Sequence, residues 1–236
     1  MPGEHSSKQY DMDLETIRSK VLLMGGLVES QFQDAVSCFR TGNVAQAEQV
    51  IKADENVNNL EVSLDDTCSH LIVKRQPAAN DLRTVMATIK VITDLERIGD
   101  ESTKIARAAK SITERGVTTI NHYETIRVMA ASAGDMLHDA LDAFARLDGK
   151  QAIRLIAQDE IVDHEFRSVM RTLITFMMED PRTISGALDT LWVAKAIERI
   201  GDHAKNIAEY VIYIVEGKDI RHTDYAASQR EDRTTN

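Results

Sequence analysis

Glu96 and Asp100 stand four residues apart with Arg97-Ile98-Gly99 between them, and the arrangement returns as Glu198-Arg199-Ile200-Gly201-Asp202. Ile105-Ala106 and Ile207-Ala208 follow in register, so the copies keep a constant offset of 102 residues. Self-similarity at a fixed offset marks a duplicated structural unit. On a helix, residues four apart share one face, with Cβ atoms about 5–6 Å from each other. Two carboxylates held that way repel unless water, a cation or a basic side chain lies between them. The chemistry on offer is that of hard oxygen donors, which suit Mg²⁺, Mn²⁺, Ca²⁺ or ferric iron better than zinc or copper.

The elements that must position these carboxylates are helices. Leu14, Ile17, Val21, Met24, Val28, Phe32, Ala35 and Phe39 step by three and four, an apolar stripe on one long helix. Thr41-Gly42-Asn43 stops it. A second stripe runs through Val50, Asp54, Val57, Glu61, Leu64, Cys68 and Leu71 and breaks at Arg75-Gln76-Pro77. Proline suits the first turn of a new helix, and Leu82, Val85, Met86 and Ile89 lead into the first carboxylate pair. The second half repeats the plan. Ile126, Met129, Ala133, Leu137, Ala140 and Phe144 stripe a fourth helix. A fifth carries Leu155, Asp159, Val162, Phe166, Val169, Leu173 and Phe176, and Pro181 opens a sixth. No strand pattern appears. The expected fold is all-α: two tandem antiparallel three-helix bundles, spectrin-repeat-like and related by duplication. The expected divisions are a loose N-terminus at 1–10, bundles at 11–114 and 121–217, a linker at 115–120 and a disordered polar tail at 218–236.

Hairpin geometry adds partners to the pairs. Asp54 precedes Pro77 by as many residues as Asp100 follows it, so in an antiparallel hairpin both stand at one height, with Asn58 near the level of Glu96. Asp159 and Asp163 come level with Asp202 and Glu198 in the same way. The candidate metal ligands are therefore Glu96, Asp100, Glu198, Asp202, Asp54, Asp159 and Asp163. Leu82, Met86, Ile89, Thr93, Glu96 and Asp100 fall on one helix face, so the acidic pair extends an apolar side. Val91, Leu95, Ile98 and Ile105 form another, and periodicity leaves open which side is core. Gly99 and Gly201, each costing about 0.5–1 kcal/mol relative to Ala in mid-helix, signal a close approach by a helix or ligand. The bland alternative is a solvated acidic face or half of an ion-pair net, with Arg97, Arg199 or Lys195 as counter-charge. Each half is expected to be able to hold a cation, and Lys195, where the first half has Thr93, weakens that expectation for the second.

Composition narrows the classes. The chain has 236 residues, 43% hydrophobic and 28% charged, with only 3 Pro and 5% aromatics, a balance suited to long helices. A formal net charge of -10 argues against nucleic acid and against an anionic membrane surface. No run of 18 apolar residues predicts a membrane span, and residues 1–10 lack a secretory signal. Cys38 and Cys68 read as reduced core residues of a cytoplasmic protein. A di-iron carboxylate enzyme would need Glu-x-x-His on two helices; no Glu here has His three residues on. His138, His164 and His203 read as surface or structural. Gly25-Gly26 has no following Lys-Ser or Lys-Thr to make a phosphate loop. Scattered methionines read as core filler, and Trp192 is expected to be buried.

At the paired Glu-x-x-x-Asp motifs, and at Arg75-Gln76-Pro77-Ala78-Ala79-Asn80-Asp81-Leu82-Arg83, the chain resembles the PhoU family of phosphate-signalling regulators. The resemblance spans residues 10–217. It implies a cytoplasmic negative regulator and no enzyme. Such a protein mediates between a high-affinity ABC phosphate transporter, through its ATPase subunit, and the histidine kinase that controls starvation genes, holding the response off when phosphate is plentiful. It also implies metal at the Glu-x-x-x-Asp motifs and a homodimer. Asn58, where the second half has Asp163, departs from equal sites, as does Lys195. Outside this family the residues leave open a structural or metal-binding helical adaptor with no phosphate role.

Overall fold

The computed structural model describes residues 3–116 and 120–221. Among them are six long α-helices, one 3-10 turn and no strand: α1 Gly3–Thr41, α2 Val44–Arg75, α3 Ala79–Glu114, α4 Ile120–Arg146, α5 Gly149–Glu179 and α6 Ile184–Glu216. The stripes become the core, as the all-α expectation requires: Ile17, Val21, Met24, Val28, Phe32, Ala35 and Phe39 of α1 are each at most 2% exposed. Each is worth about 1.5–3 kcal/mol of burial for the larger side chains.

The helix ends follow local chemistry. Gly42 takes φ +66, a left-handed turn that glycine adopts without Cβ strain, and the Asn43 carboxamide then accepts from Gln46 N at 3.1 Å to cap α2. Asp148 caps α5 by accepting from Lys150 N at 2.9 Å and Gln151 N at 3.0 Å. Pro181 does not open α6 itself. It starts a 3-10 turn over Pro181–Thr183, capped by the Asp180 carboxylate, and α6 begins after it.

The three helices of each half pack on one another, and the halves join chiefly along α3 and α6. These two run antiparallel: Arg115 at the end of α3 pairs with Asp189 near the start of α6, while Arg83 near the start of α3 lies over the Tyr213 ring. Their crossing sets the two Glu-Arg-Ile-Gly-Asp motifs side by side at the middle of the interface. Buried apolar residues from all six helices form one continuous core.

Three expectations are corrected. Helix α1 runs back to Gly3 through the stretch expected to be loose; Tyr10 is 7% exposed and its phenol donates to the Asp81 carbonyl. Of the expected tail, residues 218–221 are described and Ile220 is buried in the core; the rest of it, and 117–119 of the linker, lie outside the described residues. Trp192 is 72% exposed, and Met178 and Met86 are exposed too, whereas Met24 and Met136 are core. The side of α3 that faces the core is Val91, Leu95, Ile98 and Ile105; Leu82, Met86 and Thr93 face outward. The acidic pairs therefore lie on the outer side.

Gly26 lies exposed within α1, and a Cβ there would meet nothing within 4 Å. A Gly26→Ala variant is expected to gain about 0.5–1 kcal/mol from helix propensity alone. An unchanged urea midpoint would contradict this.

Candidate functional site

In the first half, α3 presents Glu96 and Asp100, and α2 presents Asp54, Glu61 and Asp65. Asp54 stands level with Gly99: a Cβ on that glycine would lie 3.3 Å from Asp54 Oδ1 and 3.2 Å from Gln31 Oε1. The missing side chain is what lets α1 and α2 approach α3 here. Gln31, on α1 and 4% exposed, donates through Nε2 to Asp54 Oδ1 at 2.9 Å and to Thr103 Oγ1 at 3.2 Å. Burial pushes the Glu96 carboxyl up, and Asp100 and Asp54 add to it. Burial likewise raises Glu61, with Glu96 as the next cause, and Asp65. The basic group nearest the pair is Arg97, whose Nε lies 3.6 Å from Glu96 Oε2 with the side chain 58% exposed. Asn58 is exposed.

The second half gathers Glu198 and Asp202 of α6 with Asp159 and Asp163 of α5. Burial pushes Asp202 up to about 6, reinforced by Glu198, Asp159 and Asp163 in turn. Here two lysines enter. Lys195 Nζ donates to Glu198 Oε1 at 2.6 Å, and Lys205 Nζ donates to Asp159 Oδ2 at 2.6 Å. At the same offset the first half has Thr93 and Thr103.

Sequence reasoning missed Gln31, Glu61, Asp65 and Lys205 as members. Glu61 carried a signal, lying two turns from Asp54 on the same face. Gln31 carried none, since its role depends on how α1 crosses the hairpin.

Among the described residues no three His, Cys, Asp or Glu side chains converge closely enough to hold an ion as they stand. Whether a cation suits each cluster is then a matter of donors and charge. The first is all oxygen and contains no ammonium, and a buried oxygen beside Asp54 and Gly99, Gln31 Oε1, accepts no hydrogen bond. A buried acceptor left unmet costs about 1–3 kcal/mol. That set fits a hard cation, which would draw in carboxylates that now stand apart. The second cluster does not fit equally, because two of its carboxylates, Glu198 and Asp159, are already paired with ammonium groups.

Between the halves runs a buried polar seam. Asp94 of α3, 7% exposed, accepts from His203 Nδ1 at 2.6 Å and Asn206 Nδ2 at 3.1 Å on α6. Glu101, 5% exposed, takes Arg199 at 3.2 Å and Lys104 at 2.8 Å. His203 is thus structural. His138 meets Glu29 at 3.0 Å across α4 and α1, and that hydrogen bond raises its pKa.

Fold and site together define a class: a three-helix bundle duplicated into six helices, with one carboxylate cluster per repeat. The PhoU domain matches residues 21–109 and 126–211, and the chain belongs to the PhoU family. It is 45% identical over 92% of its length, and 85% of the relative's, to a phosphate-specific transport system accessory protein PhoU homolog of Pseudomonas putida. It is 44% identical over 93% of its length, and 90% of the relative's, to the Escherichia coli accessory protein PhoU. The crystal structure of PhoU from Pseudomonas aeruginosa superposes with TM-score 0.86 at 44% identity, covering 89% of this chain and all of that one. That of the phosphate transport system regulatory protein PhoU from Streptococcus pneumoniae gives TM-score 0.81 at 27% identity, covering 89% of this chain and 98% of that one. No helix among the described residues is long and apolar enough to cross a membrane.

Proposed function

We propose that this protein is a cytoplasmic, non-enzymatic negative regulator of phosphate-starvation signalling. It couples the ATPase subunit of an ABC phosphate transporter to a phosphate-sensing histidine kinase, so that the response is off when phosphate is plentiful. The observation that carries this reading is identity of 44–45% over more than nine-tenths of the chain to proteins named as accessories of phosphate-specific transport. A net charge of -10 agrees with protein partners rather than nucleic acid. The protein acts as a homodimer in this reading, and a hard cation binds at Asp54, Glu61, Glu96 and Asp100. When bound, that ion neutralises the carboxylates and ties α2 to α3. Gln31 orients Asp54 through its Nε2 donor, and Gly99 leaves the room. A cation or transporter state that favours one arrangement of these helices shifts affinity for a partner, which is the requirement for coupling between sites.

The test is alkaline phosphatase activity at high phosphate in cells lacking the protein. High activity, returned to low by the intact gene, is expected; activity that stays low in the deletion overturns the regulator reading. Glu96→Ala/Asp100→Ala in the complementing gene is expected to leave activity high. Full repression by that variant would favour a helical adaptor whose carboxylates serve only to solvate it.

A further inference from the structure

We infer that Lys195 and Lys205 are built-in counter-cations of the second carboxylate cluster, so that the chain takes a metal ion in its first half alone. The inference deepens the cation reading above and, for the first half, rests on it.

The two clusters descend from one duplicated unit and differ most where charge is concerned. In the second, the Lys195 ammonium lies 2.6 Å from Glu198 Oε1, and the Lys205 ammonium lies 2.6 Å from Asp159 Oδ2. One carboxylate on each helix is thereby committed. Neither lysine is a loose surface chain. Lys195 Nζ sits 5.4 Å from the centroid of the Phe166 ring on α5, so the aromatic face also holds it. Lys205 bridges α6 to an aspartate whose side chain is 9% exposed. A divalent ion entering here would have to displace both ammonium groups from their partners or sit beside two like charges.

In the first cluster the matching positions carry no charge. Thr93 is exposed and bonds its own helix, donating to the Ile89 carbonyl at 3.2 Å. Thr103 accepts from Gln31 at 3.2 Å. Gln31 itself is 4% exposed and keeps Oε1 without a partner beside Gly99. An unmet buried oxygen beside Asp54 and Gly99 marks the half whose matching positions carry no ammonium. The half with lysines has none such among the described residues. The duplicated chain has thus solved one electrostatic problem in two ways, with an exchangeable cation on one side and covalently attached ones on the other.

The experiment is a Mn²⁺ titration of the full-length, untagged chain, with free Mn²⁺ read by electron paramagnetic resonance and helicity checked by circular dichroism. The wild type is expected to bind one Mn²⁺ per chain, and Glu96→Gln/Asp100→Asn to lose it. Lys195→Thr/Lys205→Thr, which installs the first half's residues, is expected to bind two. Thr93→Lys alone, at an exposed position of α3, is expected to weaken the first site about 10-fold or more, as one like charge beside the ion requires. This keeps the idea testable should the lysine variant fold poorly. Two ions on the wild type would overturn the inference, as would one that survives Glu96→Gln/Asp100→Asn, or a folded lysine variant without a second ion. No ion on the wild type but one on the lysine variant would overturn the first-half cation reading and leave the role of the lysines standing.

Discussion

Replacing Asp94 with alanine is expected to cost about 3 kcal/mol of stability, through the contact between the halves and not through either bundle. The carboxylate is 7% exposed and takes a 2.6 Å hydrogen bond from His203 and a 3.1 Å bond from Asn206, both on α6. Truncation leaves two largely buried donors without their acceptor, and each such loss costs about 1–3 kcal/mol. Removing one partner of a largely buried pair falls in a similar range, about 3–5 kcal/mol; the lower end applies because the His203 side chain is 22% exposed. Asp94→Asn keeps one acceptor oxygen in place and is expected to lose about half as much. Urea denaturation at fixed pH reads both. A loss below about 1 kcal/mol for the alanine variant, with an unchanged denaturant slope, would mean that water replaces the seam.

That seam shows where sequence stops informing. The helices were legible because each buries one side against its own hairpin: Val50, Val57, Leu64 and Leu71 recur at helical spacing and are all at most 4% exposed. The height of Asp54 against Gly99 was legible too, because a tight antiparallel hairpin leaves a single register. The contact of α3 with α6 was not. It joins segments about a hundred residues apart, and two apolar sides on α3 offered no way to tell core from surface. The core took the side that both α6 and the first bundle could cover. Leu82 and Met86, apolar but lying along the carboxylates, stayed at 37% and 45% exposure. Trp192 fell on that outward side of α6 for the same reason. Asp94 and His203 do not match under the 102-residue offset: their counterparts are Ala196 and Glu101. The duplication has diverged at its own axis, and no repeat-based argument could pair them. Lys205 was missed because it looks like an ordinary surface lysine until α5 is placed beside it.

The second large effect is expected at Asp202, and its sign is opposite. Burial and the neighbouring Glu198 hold this carboxyl at about 6 in the folded protein, against 3.8 for the unfolded chain. Between those values the folded state binds more protons than the unfolded state, so stability from this group is fully present below pH 3.8. It is lost as pH rises through about 6, and above that the ionised carboxylate is a standing penalty. Two pKa units correspond to about 3 kcal/mol; partial exposure and screening reduce this to about 1–2 kcal/mol. Asp202→Asn removes the penalty. The variant should therefore be the more stable protein at pH 7.5, and the gap should close as pH is lowered from 6 to 4. Urea midpoints measured across that range, in EDTA so that no adventitious ion stands in for the proton, check the prediction. Parallel curves for the two proteins would mean that Lys195 already compensates the charge of Asp202 as well as that of Glu198. Lys195 would then neutralise more of the cluster than its 2.6 Å pairing with Glu198 implies.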